Sequence, residues 1–321
     1  MRYLDVGGAH LSVIGLGTWQ FGSREWGYGK EYAEGPAIAI TQRALDLGVN
    51  LLDTAEIYAF GESERIVGRA IAGRRAEAFV ATKVFPVLPL APIVAWRGRR
   101  SAARLRVATI DLYQLHWPNP VVPDSAAVDG LRQLQRSGVV RHVGVSNYGR
   151  ARWEAAERAL GSPLLTNQVQ YSLAVRKPDA DLVPFAAAND RVIIAYSPLA
   201  QGFLSARYDA SNAPGGIRAG NALFVPENLE RGADLLGTLR SIAQAHDATP
   251  AQVALAWVIS RPNVVAIPGA SSVEQLERNV EAAQLDLTTA ELAELTDASD
   301  RFFPVGGPGV AARLVRARLH R

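Results

Sequence analysis

Eight short apolar runs, each followed by a stretch with helical character, constrain this chain more than any other feature. They are SVIGLG (12–17), VNLLDT (49–54), AFVATK (78–83), IDLYQLH (110–116), RHVGVSN (141–147), LLTNQVQY (164–171), RVIIAYS (191–197) and NVVAIPG (263–269). Nearly continuous apolar runs are what parallel strands covered on both faces require. Strict alternation with helices makes the sheet parallel. Among the intervening stretches, 36–47 opens on Pro36, and 249–259 opens on Thr249 as cap with Pro250 in the first turn. Eight such units over about 260 residues suit a closed (β/α)8 TIM barrel better than an open doubly wound sheet. The open sheet's glycine signature is also missing: after Gly15 and Gly17 the next required position is Gln20.

Two other segments complete the outline. YLDVGGAHLSV (3–13) predicts an N-terminal β-hairpin turning at Gly7-Gly8, placed to plug the bottom of the barrel. Residues 202–227, after strand seven, have no clean period and read as a lid or a partly disordered long loop. The expected organisation is a single barrel domain over 1–300 with a C-terminal tail over 301–321.

Composition removes several classes of function. The chain has 321 residues, of which 48% are hydrophobic and 20% charged, an ordinary globular balance. With no cysteine, disulfides, thiolate metal sites and cysteine nucleophiles are excluded, and no metal site is expected. The N-terminus has no apolar leader and no uncharged run approaches ~18 residues, so a cytoplasmic protein that does not span a membrane is expected. The net charge of +3 is carried partly by two arginine clusters: Arg97, Arg99 and Arg100, and Arg313, Arg316, Arg318 and Arg321. Neither is a stripe with interleaved aromatics, so no nucleic-acid partner is expected. They read as solvated surface and a frayed tail.

Barrel enzymes keep their chemistry at the C-terminal ends of the strands. There the second strand carries Asp53 with Tyr58 in its loop, the third Lys83, the fourth His116, the fifth Ser146 and Asn147, the sixth Gln168, and the seventh Tyr196 and Ser197. A tyrosine hydroxyl with an ordinary pKa of ~10 donates a proton poorly near neutrality. A neighbouring lysine favours the phenolate and lowers that value. A carboxylate would keep the lysine charged and aimed, and a histidine would orient a carbonyl oxygen. Together they read as a proton donor for an oxygen that gains negative charge while its carbon accepts hydride.

On GLGTW (15–19), LLDTAEIY (51–58), GESERIVGRAI (61–71), ATKV (81–84), IDLYQLHWP (110–118), GVSN (144–147), NQVQYS (167–172), AYSPLAQGFL (195–204) and IPGASSVEQLERN (267–279), the sequence resembles the aldo-keto reductases over about residues 3–300. The resemblance implies a (β/α)8 barrel and a nicotinamide cofactor, usually NADPH. It implies Tyr58 as general acid, Lys83 as modulator, Asp53 as the lysine's partner and His116 as the carbonyl-orienting donor. Gly17, Thr18 and Asp53 would flank the nicotinamide ribose, and Trp19 would be a further cofactor contact. Ser146, Asn147 and Gln168 would hold the carboxamide, and Tyr196 would stack on the ring. Ser197 and Leu199 would line the pyrophosphate path, with Arg207 in the lid. Gly269, Ser271, Gln275, Arg278 and Asn279 would surround the adenosine phosphate, at a helix whose Ser272-x-x-Gln275 reads as a capping box.

Two departures bear on cofactor choice. Gly269 stands where many relatives have lysine, and Gln275 where many have arginine. NADPH is therefore expected with NADH not excluded, and Arg278 is a candidate substitute contact. The substrate would be a small-molecule carbonyl compound, an aldehyde or ketone reduced to an alcohol, against an apolar wall of Trp19, Phe85 and Trp117, with Trp26 and Tyr28 as additions. Two alternatives follow: a slow-turnover NADP(H)-binding regulatory subunit of the same fold, and a barrel lyase using Lys83 as a Schiff base.

Overall fold

A computed structural model describes residues 1–24, 27–29, 33–209 and 211–306. The hairpin forms first. β1 (Tyr3–Val6) pairs antiparallel with β2 (Ala9–Ser12), Val6 opposite Ala9. Gly7 and Gly8 both have positive φ, 58° and 79°, which the two-residue turn requires and a side chain would resist.

Eight parallel strands follow in chain order: β3 (Leu16–Gly17), β4 (Leu51–Asp53), β5 (Phe79–Val84), β6 (Ile110–Leu115), β7 (Val140–Ser146), β8 (Thr166–Gln170), β9 (Val192–Tyr196) and β10 (Val264–Ala266). Each pairs with its neighbour in sequence. The first and last meet through Gly15 N–H to Ala266 O (2.8 Å), Ala266 N–H to Val13 O (2.9 Å) and Gly17 N–H to Pro268 O (3.1 Å). These bonds close the barrel. Glycine is needed at position 17, because a Cβ there would lie 2.7 Å from the Ile267 carbonyl oxygen.

The helices are α1 (Glu34–Asp46), α2 (Glu62–Ala70), α3 (Ala91–Leu105), α4 (Asp124–Arg136), α5 (Arg150–Leu160), α6 (Leu182–Ala188), α7 (Pro226–Arg231), α8 (Ala233–Ala245), α9 (Pro250–Ile259), α10 (Val273–Glu281) and α11 (Thr289–Asp300). Thr249 caps α9 as expected, and Gln252 completes a capping box with it. α11 was not among the helices read from the sequence, although Thr288 and Glu291 form a capping box at its start. The stretch 202–227 is a succession of 3₁₀ turns (Ala200–Ser205, Gly216–Gly220, Ala222–Phe224) leading into α7. At its base Phe203 stacks on Phe302, so the start of the expected tail packs onto the loop after β9.

Alternation along the strands positions the site. Leu51, Phe79, Ala81, Leu112, Leu165, Val192, Ile194, Val265 and Ile267 form an inner core, and Val6, Ala9 and Leu11 of the hairpin join it. The hairpin thus seals one end with apolar side chains. Two residues on from inward Leu51, Ala81 and Thr166 come Asp53, Lys83 and Gln168. Inward polarity begins where the apolar plug ends.

No described helix is long and apolar enough to cross a membrane. Trp26 and the tail arginines Arg313, Arg316, Arg318 and Arg321 lie outside the described residues.

Candidate active site

Lys83 organises the barrel mouth. Its side chain is fully buried, and its ammonium donates to Asp53 Oδ1 at 2.7 Å, to the Thr54 carbonyl at 2.8 Å and to the Tyr58 hydroxyl at 3.3 Å. All three ammonium hydrogens are used. The other Asp53 oxygen accepts from Gln168 Nε2 at 2.7 Å. Burial pulls the lysine towards neutrality, but the Asp53 charge and the Tyr58 hydroxyl outweigh it and hold its pKa above the ordinary value. Burial pushes the Asp53 carboxyl up, opposed first by the Lys83 charge.

Tyr58 is half-buried, with its hydroxyl against Lys83. Here the structure corrects the sequence expectation of a lowered tyrosine pKa. Desolvation raises it above 10, and the Lys83 charge only partly offsets this. The lysine works as expected, in a site dry enough for burial to dominate. The chain leaves Tyr58 through two consecutive left-handed residues, Ala59 (φ 46°) and Phe60 (φ 55°), a conformation that costs about 1–3 kcal/mol per residue without glycine.

His116 follows β6 on the same alternation. Its ring lies edge-on to Tyr58, 5.8 Å between centroids, and to Phe85 at 6.0 Å. Burial, reinforced by the Lys83 charge, lowers its pKa to about 3. The imidazole is therefore neutral across the physiological range, and its buried Nδ1 has no partner.

Ser146, Asn147, Gln168 and Tyr196 meet beside this cluster. Ser146 Oγ donates to the Gln168 carbonyl at 2.8 Å and accepts from Asn147 Nδ2 at 3.0 Å. Asn147 Nδ2 also donates to the His116 carbonyl at 3.1 Å, and Tyr196 donates to Asn147 Oδ1 at 3.0 Å. Asn147 and Ser197 both have positive φ, 64° and 49°. Leu199 and Ser197 stand half-buried on the loop after β9, and Arg207 lies exposed beyond them, its Nε 3.3 Å from Ser205 Oγ. On the other side of the mouth, Thr18 Oγ1 donates to the Asp53 carbonyl at 2.9 Å. Trp19 and Trp117 are each 46% exposed, and Tyr28 packs at the edge of the core.

Some partners were not singled out in the sequence. Ser63 donates to the Thr18 carbonyl at 2.9 Å and bonds the Thr18 and Thr54 hydroxyls at 2.7 and 2.9 Å, locking the loop after β3 to the loop after β4. Its position inside GESE, directly after the tyrosine loop, was the available signal. Arg97, read as solvated surface, turns inward to pair with Glu56; of its cluster, Arg99 and Arg100 are exposed.

At α10 the expected capping box forms only in half. Ser272 Oγ accepts from the Gln275 amide at 3.2 Å, but the Gln275 side chain turns to Ser271, accepting from its amide at 2.9 Å and its hydroxyl at 3.0 Å. Arg278 is exposed, with its Nε donating to the Glu274 carbonyl at 3.2 Å, and buried Asn279 donates to the Gly269 carbonyl at 3.3 Å. A Cβ at Gly269 would lie 2.9 Å from Gln20 Oε1, so Gln20 occupies the room a side chain would need.

The Aldo/keto reductase family matches residues 13–300. An uncharacterised oxidoreductase of Mycobacterium tuberculosis is 56% identical over 100% of both chains. A methylglyoxal reductase of Escherichia coli is 33% identical, covering 91% of this chain and 92% of its own. Among solved structures, the glycerol dehydrogenase of Gluconobacter oxydans superposes with a TM-score of 0.85 at 29% identity, covering 96% of this chain and 97% of its own. An aldo/keto reductase of Klebsiella pneumoniae in complex with NADP and acetate gives 0.76 at 30% identity, covering 95% and 99%. The chain folded around Lys83 is an oxidoreductase and belongs to the aldo/keto reductase family.

Proposed function

We propose that this protein reduces an aldehyde or ketone to the alcohol with a nicotinamide cofactor, preferring NADPH, and that Tyr58 is the general acid. The observation that carries this reading is the continuous contact from Gln168 through Asp53 and Lys83 to the Tyr58 hydroxyl, with a neutral imidazole on the far side. The bound NADP of the Klebsiella pneumoniae relative supports the cofactor.

The donor set suits a nicotinamide carboxamide. Ser146 spends its hydroxyl hydrogen on the Gln168 carbonyl and keeps one lone pair after accepting from Asn147. Gln168 retains one N–H and its carbonyl oxygen, and Asn147 Oδ1 retains a lone pair after accepting from Tyr196. Gln168 and Asn147 would hold the amide and the Tyr196 face would support the ring, while the cofactor supplies hydride. The remaining steps belong to this chain. His116, uncharged, offers a ring N–H to the carbonyl oxygen without competing as a proton source. Tyr58 gives its proton to that oxygen as negative charge develops. Lys83 stabilises the phenolate left behind, and Asp53 keeps Lys83 charged. Trp19, Phe85 and Trp117 form the apolar wall. Residues 1–300 would act as one barrel domain with 301–321 as its tail.

Turnover of methylglyoxal and 4-nitrobenzaldehyde with NADPH tests the reading. Tyr58→Phe should lower kcat by about 10²–10⁴-fold while cofactor affinity holds. A variant that keeps more than about a tenth of the wild-type rate under chemistry-limited conditions rules Tyr58 out.

A further inference from the structure

One carboxylate joins the loop of Tyr58 to the end of the Lys83 strand. Glu56 stands two residues before Tyr58, and Phe85 two residues after Lys83. Glu56 Oε1 accepts the Phe85 amide at 2.6 Å, and the Glu56 amide donates to the Lys83 carbonyl at 3.3 Å. From α3, Arg97 closes on the same carboxylate: Nε donates to Oε2 at 3.0 Å and Nη2 to Oε1. Its third nitrogen, Nη1, donates to the carbonyls of Phe85 at 2.8 Å and Val87 at 3.0 Å.

The side chains of Glu56 and Arg97 are only 10% and 17% exposed. Ions withdrawn from water to this degree are held only when their hydrogen-bonding capacity is met. Here both carboxylate oxygens and all three guanidinium nitrogens have partners. Arg97 bonds Phe85 directly and holds Glu56 against it, so the two loops cannot separate without breaking charge-assisted bonds. The rings these loops carry, Tyr58 and Phe85, both meet the His116 imidazole edge-on. The clamp therefore bears on the proposed acid, the proposed orienting donor and the wall beside them.

We propose that Glu56 and Arg97 are positioning residues for carbonyl reduction: Arg97, from the outer helix layer, holds Glu56 on the Phe85 backbone and thereby sets the Tyr58 hydroxyl against Lys83 and the His116 ring between Tyr58 and Phe85. The proposal rests on Tyr58 being the acid. The Tyr58–Lys83 contact is already long at 3.3 Å, so a small outward drift of the loop breaks it, and a displacement of about 1 Å costs on the order of 10²-fold in rate.

The test compares wild type, Arg97→Met, Glu56→Gln/Arg97→Met and Tyr58→Phe, with methylglyoxal and NADPH. Arg97→Met should lower kcat by about 10²-fold with KM for NADPH unchanged. Tyr58 faces Lys83, Asp53, His116 and Tyr196, and of these only Lys83 lowers its pKa. Reduction uses the protonated tyrosine, so moving the hydroxyl away from Lys83 should shift the basic limb of the kcat–pH profile to higher pH. Merely losing folded protein would lower the rate and leave that limb in place. Free guanidinium at millimolar concentration should restore part of the Arg97→Met rate. The double variant leaves no buried unpaired charge; it should regain the melting temperature lost by Arg97→Met and stay slow. It also decides the matter if Arg97→Met does not fold. A double variant with wild-type kcat, or slow variants whose basic limb has not moved, overturns the proposal. A Tyr58→Phe variant that keeps its rate overturns the reading beneath it. An inactive Tyr58→Phe beside fully active clamp variants overturns the clamp alone.

Discussion

The two ends of the proposed cofactor path are built on opposite terms. At Lys83 the charges are buried and answer each other: Asp53 is met by Lys83 and Gln168, and Lys83 by Asp53, Thr54 and Tyr58. At the start of α10 the polar groups lie at the surface and satisfy themselves locally, Gln275 on Ser271 and Arg278 on its own helix. The difference shows how burial sets what a contact is worth. Deleting one partner of a buried ion pair strands the other, at about 3–5 kcal/mol. Deleting an exposed charge costs on the order of 1 kcal/mol or less. The first end therefore makes chemistry all-or-none, and the second allows cofactor preference to be tuned.

Lys83→Met should show the largest effect. It strands the Asp53 carboxylate, so urea unfolding should record a loss of about 3–5 kcal/mol, and kcat should fall by about 10²-fold or more. Adding Asn at position 53 removes the stranded charge, so Asp53→Asn/Lys83→Met should recover the stability and none of the rate. A single variant as stable as wild type would mean that this end is no drier than the other.

His116 provides the next test. Its folded pKa of about 3 lies below the ordinary value near 6.5. Between these values the unfolded chain binds the extra proton, so stability is complete above pH ~6.5 and is lost as pH falls towards 3, by about 2–3 kcal/mol at pH ~4.5. Urea midpoints from pH 8 downwards should show this decline, and His116→Gln should flatten it. An unchanged slope would place the imidazole in water.

At α10 the expected changes are smaller. Gln275→Arg removes the acceptor that occupies Ser271 and adds a guanidinium. NADPH should bind about 10- to 150-fold more tightly while NADH barely changes, as read by fluorescence quenching. Equal gains for both cofactors would move the phosphate elsewhere. Arg278→Ala is the smallest, a loss of about fivefold or less in NADPH affinity; no selective loss removes Arg278 as the substitute contact.

Much of this architecture was legible in the residues. Apolar runs marked the strands, Gly7-Gly8 marked the hairpin, and polar residues at the run ends marked the mouth, because alternation in a parallel barrel leaves few other arrangements. What was not legible depends on three-dimensional choices among similar polar groups. Gln168 was expected on the carboxamide, yet one of its amide hydrogens goes to Asp53. Gln275 fits a capping box by spacing, but Ser271 offers it two donors. Arg97 sits in an arginine cluster that reads as solvated, and only the folded position of Glu56 turns it inward. The direction of the Tyr58 pKa required knowing how much water the mouth excludes. Strand ends drifted too: β10 covers only Val264–Ala266 of the run 263–269, and Pro268, with no N–H to donate, interrupts the ladder beyond it.

The glycine-lined closure between β3 and β10 has a consequence for how the barrel breathes. Those strands span two and three residues, and three backbone bonds bridge them, whereas β5, β6 and β7 run six or seven residues each. Local opening follows the fewest bonds. Amide exchange at Gly15, Gly17 and Ala266 should accordingly outpace that of the long strands opposite, making the barrel a stiff half-cylinder with a zip. Gln20 reaches across this zip to the Ala270 carbonyl at 2.8 Å. That single amide is a latch whose removal should register in exchange rates before it registers in melting temperature.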